Sequence, residues 1–304
     1  MASDRVLVDV DGRRLTLSNL EKVLYPDSDV TKGEVLDYYA RVSPLMLPHL
    51  RGRPATFRRF PDGVDADSFF EKNAPRGTPE WVRTVRLPVP GSTKQRETID
   101  YVVVEDLPTL VWAANLAALE IHVPQWRVDG AGRALAPDRL VLDLDPGPPA
   151  SVVQCCEVAV LLSQMLADDG LAPYAKTSGS KGLQVYAAVR DASAERASAY
   201  ARELAVRLEY DRPDLVVSRM TKSLRPGKVF LDWSQNNAAK TTVAPYSLRA
   251  RPRPTVSTPL TWAEVTSCRD AADLAFTAAT VLDRAHRFGD LFEGLDVQQP
   301  PPLP

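Results

Sequence analysis

This sequence of 304 residues lacks the patterns of a disulfide-bonded, a zinc-binding or a membrane-spanning protein. It has only three cysteines, two of them adjacent at Cys155 and Cys156, so neither a disulfide framework nor a zinc site has the required spacing. No apolar run approaches the ~20 residues that a membrane helix needs, and the first residues lack the apolar centre of a signal peptide. We therefore expect a cytoplasmic protein with reduced thiols and no membrane partner.

A strong charge of one sign is also absent, since the net charge at pH 7 is −2. This value argues against a generally basic coat for nucleic acid. The charge is nevertheless uneven, because residues 215–253 hold eight lysines and arginines and a single acid, Asp232. Such a concentration is typical of a surface that binds phosphates, although a solvated basic face has the same composition.

The most informative segment present is Arg139–Gly147, with the sequence Arg-Leu-Val-Leu-Asp-Leu-Asp-Pro-Gly. It reads as an apolar strand that ends in a Pro-Gly turn, with Asp143 and Asp145 on one face and leucines on the other. Two carboxylates that point the same way repel each other unless a cation lies between them, and hard oxygen ligands suit Mg²⁺ or Mn²⁺. A solvated strand end beside a turn would look the same.

The elements around this strand predict an α+β fold. From Leu140 to Trp233 the order is strand, helix, strand, strand, helix, strand, which resembles the split βαβ pattern of ferredoxin-like and RNA-recognition folds. The two helices of this unit are expected over Ser151–Asp169 and Ala192–Leu208. Two earlier helices are expected over Thr31–Pro44, where the proline ends the helix, and over Pro108–Glu120.

Asp232 is the third acid of interest, because it ends the apolar run Val229-Phe-Leu. In a split βαβ sheet the first and last strands can be neighbours, which would bring Asp232 to Asp143 and Asp145. Three carboxylates can hold two divalent cations about 3.5–4 Å apart, the clamp used for in-line nucleotidyl transfer. A strand-end acid with a local partner is the alternative for Asp232 alone.

Thr177–Gly182 is a loop of small residues that carries one lysine. Its glycines let backbone N–H groups approach phosphate oxygens, and Lys181 adds a positive charge. The spacing differs from that of a Walker A loop, and an ordinary hairpin turn would read the same. His122 lies in an apolar stretch, where a histidine is more often packed than functional.

Taken together, these motifs resemble the archaeo-eukaryotic primase superfamily, and more closely the polymerase domain of bacterial ligase D, the end-joining repair enzyme, and its stand-alone relatives. The resemblance runs from Leu15 to about Leu260. It depends on seven short strings, which are Lys22–Pro26, Gly52–Ala55, Phe69–Lys72, Ile121–Trp126, Thr177–Gly182, Asp232–Asn236 and Ala244–Arg249.

The resemblance implies one polymerase/primase domain over residues 1–304, a primase-polymerase catalytic core with an RNA-recognition-motif-like antiparallel sheet. An N-terminal α/β lobe with a 5′-phosphate pocket would span residues 1–135. The catalytic metal and nucleotide lobe would span 136–255, and C-terminal helices with a proline-rich tail would span 256–304. The implied activity is template-dependent filling of short gaps or ends that bear a 5′-phosphate in DNA break repair, with a preference for ribonucleotides.

The resemblance also implies which residues form the site. Asp143, Asp145 and Asp232 would bind two divalent ions, Mn²⁺ or Mg²⁺, and His122 would lie near the nucleotide and the primer terminus. The residues implied to bind the incoming nucleotide are Ser178, Ser180, Lys181, Arg225, Lys240, Arg249 and Phe70.

A second set of residues is implied to contact DNA. Lys22 and Lys32 match a pocket that grips the 5′-phosphate at the downstream edge of a gap, where two ammonium groups form charge-assisted contacts with a dianion. Phe69 and Phe70 match an aromatic pair, of which one is expected to stack on a base or template and the other to pack in the core. The residues implied to bind the 5′-phosphate and DNA are Asn19, Lys22, Lys32, Arg53 and Phe69.

One position departs from the family pattern, since Gln184 stands where the family usually has a histidine. Glutamine can donate a hydrogen bond but cannot be cationic. Two alternatives therefore stay open. A catalytically weak primase-like module that only binds DNA ends is favoured by Gln184. A DxD metal-dependent glycosyltransferase would need neither Asp232 nor the lysine pair.

The partners implied are gapped, nicked or broken DNA with a 5′-phosphate, nucleoside or deoxynucleoside triphosphates, a DNA ligase and a DNA-end-binding protein. Lys94 and Arg96 fall in the region of a variable loop that helps end-joining members of the family to bridge two DNA ends.

Overall fold

The computed structural model describes residues 5–89 and 97–304, so Lys94 and Arg96 lie outside the described residues. None of the helices in these two ranges combines the length and the apolar character that crossing a membrane requires. The α-helices, in chain order, are α1 Lys32–Leu50, α2 Leu107–Asn115, α3 Val152–Asp168, α4 Ala194–Asp211, α5 Trp262–Ser267 and α6 Ala278–Phe288.

Short strands connect and flank these helices. In chain order they are β1 Arg5–Val10, β2 Arg13–Ser18, β3 Val23–Tyr25, β4 Val30–Thr31, β5 Thr56–Arg59, β6 Phe69–Glu71, β7 Thr84–Pro88, β8 Thr98–Val102, β9 Ala118–Val123, β10 Trp126–Val128, β11 Ala134–Pro137, β12 Arg139–Pro146, β13 Pro173–Thr177, β14 Leu183–Ala188, β15 Val216–Val217, β16 Val229–Asp232, β17 Thr242–Val243, β18 Leu248–Ala250, β19 Pro254–Val256 and β20 Pro259–Leu260.

A six-stranded sheet in the order β15-β16-β12-β14-β13-β20 forms the centre of the fold. Its neighbouring strands are antiparallel except for β15 and β16. Along the chain, β12, α3, β13, β14, α4 and β16 follow the predicted order of strand, helix, strand, strand, helix, strand. The predicted α+β fold with an RNA-recognition-motif-like sheet is therefore confirmed.

The two faces of this sheet differ in chemistry. Leu142 and Leu144 of β12 point to the face that α3 covers and are fully buried there. Because side chains alternate along a strand, Asp143 and Asp145 lie on the opposite face. Helix α3 begins at the predicted cap, Ser151, which fixes the helix directly after the acid-bearing strand.

A second sheet, in the order β17-β9-β5-β6, forms the N-terminal core with α1 and α2. Two predictions are wrong here. Helix α1 continues through Pro44, because its buried face, including Met46, outweighs the one backbone hydrogen bond that a proline removes. Glu120 is in strand β9, because the chain leaves helix α2 at Asn115 and turns at Ala117, which has a φ of 57°.

The C-terminal segment covers the part of the acid-bearing face that holds Val141, Tyr186 and Ala188. Phe292 is fully buried there, and its ring centroid lies 5.6 Å from that of Tyr186. The proline-rich end also packs onto the fold, where Leu303 is buried and the Arg190 N–H donates to the Pro301 carbonyl. The lobe limits at residues 135 and 255 stay a prediction.

Candidate active site

Asp143, Asp145 and Asp232 lie together where β12 pairs with β16. In this antiparallel pair Asp143 is directly opposite Asp232, and Asp145 lies two residues further along the same face. Directly opposite residues have Cβ atoms about 4.5–5.5 Å apart. The structure thus brings the three acids to one place, as their strand positions predict.

These acids carry negative charge that the protein only partly compensates. Burial, and then the charge of Asp145, raise the pKa of Asp143 to about 7. Burial and Asp232 likewise raise the pKa of Asp145, although Arg225 and Lys181 oppose this. Carboxylates in such surroundings are stabilised by a hard cation with a preference for oxygen ligands.

Both carboxylate oxygens of Asp232 already accept hydrogen bonds from the protein. Its Oδ1 accepts hydrogen bonds from the backbone N–H of Ser234 at 3.0 Å and from the Ser234 hydroxyl at 2.5 Å, and its Oδ2 accepts from Gln235 Nε2 at 2.8 Å. Among residues 5–89 and 97–304, no group of three or more acids, histidines or cysteines has its side chains already placed to hold a metal ion. The donor set fits a divalent cation in its chemistry, provided that Asp232 gives up present partners.

Gln184 and Lys176 continue this polar row across the sheet. The strand register pairs Asp143 with Gln184 and Gln184 with Lys176. Gln184 Nε2 donates to Asp143 Oδ1 at 2.9 Å, and Lys176 Nζ donates to Gln184 Oε1 at 2.6 Å. Burial and then Arg249 lower the pKa of Lys176 well below its ordinary value, while Asp143 opposes the shift. Sequence reasoning missed Lys176, although a single lysine inside an apolar strand was a usable signal.

Ser178, Ser180 and Lys181 lie on the loop between β13 and β14, beside the end of β12. Ser178 Oγ accepts from the backbone N–H groups of Ser180 at 3.3 Å and Gly182 at 3.2 Å, which closes the turn. A Cβ atom at Gly182 would lie 2.1 Å from the Leu144 carbonyl oxygen, so only glycine lets the loop approach β12 this closely. The exposed Lys181 and the loop N–H groups therefore lie next to the acids.

Glu120 connects His122 with Arg249. Its Oε2 is 2.9 Å from His122 Nε2, its Oε1 is 3.3 Å from Arg249 Nε, and Arg249 Nη1 donates to the Ser178 carbonyl at 2.5 Å. Burial raises the pKa of Glu120, but His122 and Arg249 outweigh burial and lower it to about 2. Burial lowers the pKa of His122, which Glu120 opposes. The helix predicted over Pro108–Glu120 hid this role of Glu120.

A cavity of about 230 Å³ joins Asp143 and Asp145 with the Thr177–Gly182 loop and with His122, while Asp232 lies behind its lining residue Gln235. Asp143 and Asp145 line this cavity together with Lys181 and Arg249. Acids beside positive charges are the arrangement that a metal-bound polyphosphate requires. The polar and charged residues that line it include His122, Asp143, Asp145, Ser178, Ser180, Lys181, Gln184, Gln235 and Arg249.

Arg225 and Lys240 flank the acids without lining this cavity. The Arg225 guanidinium lies 3.7 Å from the centroid of the Phe230 ring and donates to the Met220 carbonyl at 2.9 Å. Lys240 Nζ donates to the Ser234 hydroxyl and lies 3.8 Å from Asp232 Oδ2. A contact of either residue with a nucleotide therefore requires a change of partners.

Phe69 and Phe70 are both exposed, with 46% and 59% of their surface accessible. The prediction that one of them packs in the core is wrong, because β6 is the edge strand of its sheet and both rings point outward under Arg59 and Arg58. The Phe70 ring centroid lies 5.8 Å from that of His122, so Phe70 borders the site.

Asn19, Lys22 and Lys32 come together between β2 and α1. The Lys22 N–H donates to the Asn19 carbonyl at 3.0 Å, and the Lys32 N–H donates to the Lys22 carbonyl at 2.8 Å. Lys22 Nζ is 2.7 Å from the exposed Asp62, and Lys32 Nζ donates to the Ser18 carbonyl at 2.6 Å. Burial, and then the charge of Lys22, lower the pKa of Lys32 to about 8. The two lysines are therefore close enough for one charge to affect the other, although Lys32 itself is buried.

Arg53 is not part of this cluster. Its guanidinium is fully buried, lies 2.6 Å from Asp138 and donates to the Pro124 carbonyl. The prediction that Arg53 contacts DNA is wrong, because a phosphate cannot reach it. Arg59 is nearer to the cluster: its charge lowers the pKa of Lys32, and its guanidinium lies 2.8 Å from Glu71.

Comparison with known proteins assigns this fold and site to a class. A mostly antiparallel sheet with acids at its strand ends, beside the Thr177–Gly182 loop (the phosphate-type loop), defines the chain as a nucleotidyltransferase of the primase-polymerase class. The family model described as "LigD, primase-polymerase domain" matches residues 31–292. The chain belongs to this family.

The relatives agree with this assignment. The chain is 45% identical over 288 residues to the multifunctional non-homologous end joining protein LigD of Mycolicibacterium smegmatis, covering 94% of this chain and 37% of that protein. It is 32% identical over 278 residues to the bifunctional non-homologous end joining protein LigD of Bacillus subtilis, covering 91% and 43%. The chain thus spans less than half the length of these relatives.

A solved structure matches with a TM-score of 0.87 and 45% identity. It is the polymerase domain from Mycobacterium tuberculosis ligase D in complex with DNA, and the match covers 94% of this chain and 99% of that chain. The predicted family, the fold class and the enzyme class of nucleotidyltransferase are confirmed, and the glycosyltransferase alternative is excluded.

Proposed function

We propose that this chain is a template-dependent polymerase that adds nucleotides to the 3′-hydroxyl of gapped or broken DNA during end joining in the bacterial cytoplasm. The observation that carries the proposal is that Asp143 and Asp145 face Lys181 across one cavity, with Asp232 directly opposite Asp143 on the neighbouring strand. The LigD name of the relatives supports the end-joining role.

We further propose that Asp143, Asp145 and Asp232 hold two divalent ions, Mn²⁺ or Mg²⁺. Bound there, the ions would lower the pKa of the attacking hydroxyl and neutralise the triphosphate. Gln184 keeps one oxygen of Asp143 occupied and so orients its carboxylate. Gln235 Nε2 donates to Asp232 Oδ2 until a cation takes the place of this hydrogen bond.

The incoming triphosphate is bound, in this proposal, by Lys181, the serines of its loop and Arg249. Glu120 holds Arg249 and His122 in fixed positions, so these two groups meet the nucleotide without further ordering. Phe70 is exposed beside His122 and offers its ring to a base. Arg225 and Lys240 join the anion after leaving their present partners.

The 5′-phosphate of the downstream strand is bound by Lys22, Lys32 and Asn19, whose backbones are hydrogen-bonded to one another, once the buried Lys32 Nζ leaves the Ser18 carbonyl. Phe69, exposed on the edge strand β6, contacts the DNA. A DNA ligase and a DNA-end-binding protein are the proposed partners, and ribonucleotides the preferred substrates.

Primer extension on a gapped duplex tests this proposal. We expect incorporation with Mn²⁺ or Mg²⁺, more of it when the gap carries a 5′-phosphate than a 5′-hydroxyl, and more with ribonucleoside than with deoxyribonucleoside triphosphates. Binding of the gapped duplex with no incorporation under either metal would instead identify a DNA-end-binding module.

A further inference from the structure

We propose that Lys176 is a positioning residue that fixes the side-chain amide of Gln184 and, through it, the carboxylate of Asp143. This inference rests on the proposed function, in which Asp143 is a metal ligand.

Lys176 is unusual because it is fully buried although it forms no ion pair among the described residues. Lysine is almost never buried in this way. Its Nζ donates to Gln184 Oε1 and to Ser257 Oγ, each at 2.6 Å, and lies 5.7 Å from the centroid of the Tyr186 ring. A buried ammonium is tolerated only when its donors are used, so these two hydrogen bonds determine where it lies.

The donors and acceptors around Lys176 fix the direction of each hydrogen bond between Ser257, Lys176, Gln184 and Asp143. Ser257 Oγ donates its own hydrogen to the Thr177 carbonyl at 2.9 Å, so it accepts from Lys176. Gln184 turns its oxygen toward Lys176 Nζ and the Tyr186 hydroxyl, which donate to it at 2.6 and 3.3 Å, because an amide oxygen can only accept. The nitrogen of the amide is thereby left to donate to Asp143, 2.9 Å away.

The consequence for Asp143 is that Oδ1 is taken by the amide and Oδ2 is left for a cation. If Lys176 lost its donors, the amide of Gln184 could rotate and turn its oxygen to the carboxylate, which repels it. Lys176 also connects Asp143 with Ser257, whose hydroxyl bonds the Thr177 carbonyl at the start of the phosphate-type loop. One buried ammonium thus relates the position of the metal ligand to that of the loop.

The test is a double-mutant cycle read by Mn²⁺ binding, with free Mn²⁺ measured by electron paramagnetic resonance. Lys176→Met and Gln184→Leu should each weaken Mn²⁺ binding by about 10-fold or more, the range found for residues that orient metal ligands. The double variant should bind Mn²⁺ about as well as the single variant with the larger loss, because both residues act along one path. The comparison variant, Ser257→Ala, removes the serine's contacts with Lys176 and with the Thr177 carbonyl but leaves the hydrogen bond between Lys176 and Gln184, so it should weaken Mn²⁺ binding less than Lys176→Met does.

A further variant separates hydrogen bonding from charge. Lys176→Gln is neutral but keeps a donor toward Gln184, so it should bind Mn²⁺ like the parent protein. Unchanged binding in Lys176→Met, or additive losses in the double variant, would overturn the proposal. If Lys176→Met does not fold, weak binding in Gln184→Leu together with parent-like binding in Lys176→Gln supports the proposal, and any other pair of results overturns it.

Failure of the proposed metal site gives a different result. In that case the parent protein itself does not bind Mn²⁺, or Asp143→Asn binds it as well as the parent does.

Discussion

Asp143 and Asp232 lie directly opposite each other on neighbouring antiparallel strands, although they are far apart in the chain. The pairing of β12 with β16 creates this relationship. It makes the site depend on the central sheet rather than on mobile loops, so isosteric changes at the acids should alter charge without altering the fold.

The charge on Asp143 should make the metal-free protein less stable as the pH rises. Its folded pKa of about 7 exceeds the ~3.9 of an unfolded chain. Between these values the folded state binds the proton more tightly, so stability falls as the pH rises through this window. In EDTA, Asp143→Asn should therefore melt a few degrees above the parent protein at pH 8 and near it at pH 5.

Mn²⁺ provides the control for this comparison. At pH 8 it should raise the melting temperature of the parent protein more than that of Asp143→Asn, because a cation binds only where the charge remains. A difference between the two proteins that is equal at pH 5 and pH 8 would contradict the burial of this carboxylate.

Glu120 should control the protonation of His122. Because the carboxylate raises the pKa of His122, Glu120→Gln should lower that pKa, which imidazole resonances can follow by NMR. The nucleotide KM should rise about 10-fold, since Arg249 and His122 lose their common anchor. Glu264→Gln breaks a comparable ion pair with Arg284 and is the control. An unchanged His122 pKa would argue against the contact.

The preference for a 5′-phosphate should weaken at high pH. Lys32 has a pKa of about 8, so it is protonated at pH 7 and largely neutral at pH 9. Binding of a gapped duplex should lose more affinity between these pH values when the gap carries a 5′-phosphate than when it carries a 5′-hydroxyl. Lys32→Arg, which stays charged, should keep the preference. The same pH response in both proteins would assign the phosphate to other residues.

Phe70→Ala should weaken extension without affecting the fold. The ring is exposed, so its removal should change stability little, whereas loss of stacking costs about 1–3 kcal/mol per base. We expect the KM for nucleotide or template to rise 5-fold or more. Tyr210→Ala removes another exposed ring, on α4, and should leave extension unchanged. Equal effects of the two substitutions would contradict a stacking role.

Local sequence patterns predicted the central sheet correctly. Alternation of leucine and aspartate up to Asp145 defined both faces of β12, and the cap at Ser151 marked the start of α3. The short loop around Lys181 was found because glycine and serine allow close backbone approach. These features depend on neighbours in the chain, which the sequence displays directly.

The errors concern residues whose environment is set by distant parts of the chain. Arg53 is paired with Asp138, which lies between β11 and β12, and Phe69 is exposed on β6, the edge strand of its sheet. Glu120 and Lys176 gain their importance from partners such as Arg249 and Gln184. Those contacts exist only after the strands have paired, so periodicity and local motifs did not reveal them.

Primer extension by Asp143→Asn with Asp145→Asn tests the central claim most directly. The measurement is incorporation of a ribonucleotide into a 5′-phosphorylated gapped duplex, with Mn²⁺ present and with thermal melting as a check on folding. We predict that the folded variant still binds the duplex while incorporation falls at least about 1,000-fold, because the cations of the reaction lose two ligands. Extension at the rate of the parent protein would contradict the assignment of these acids as the catalytic metal site.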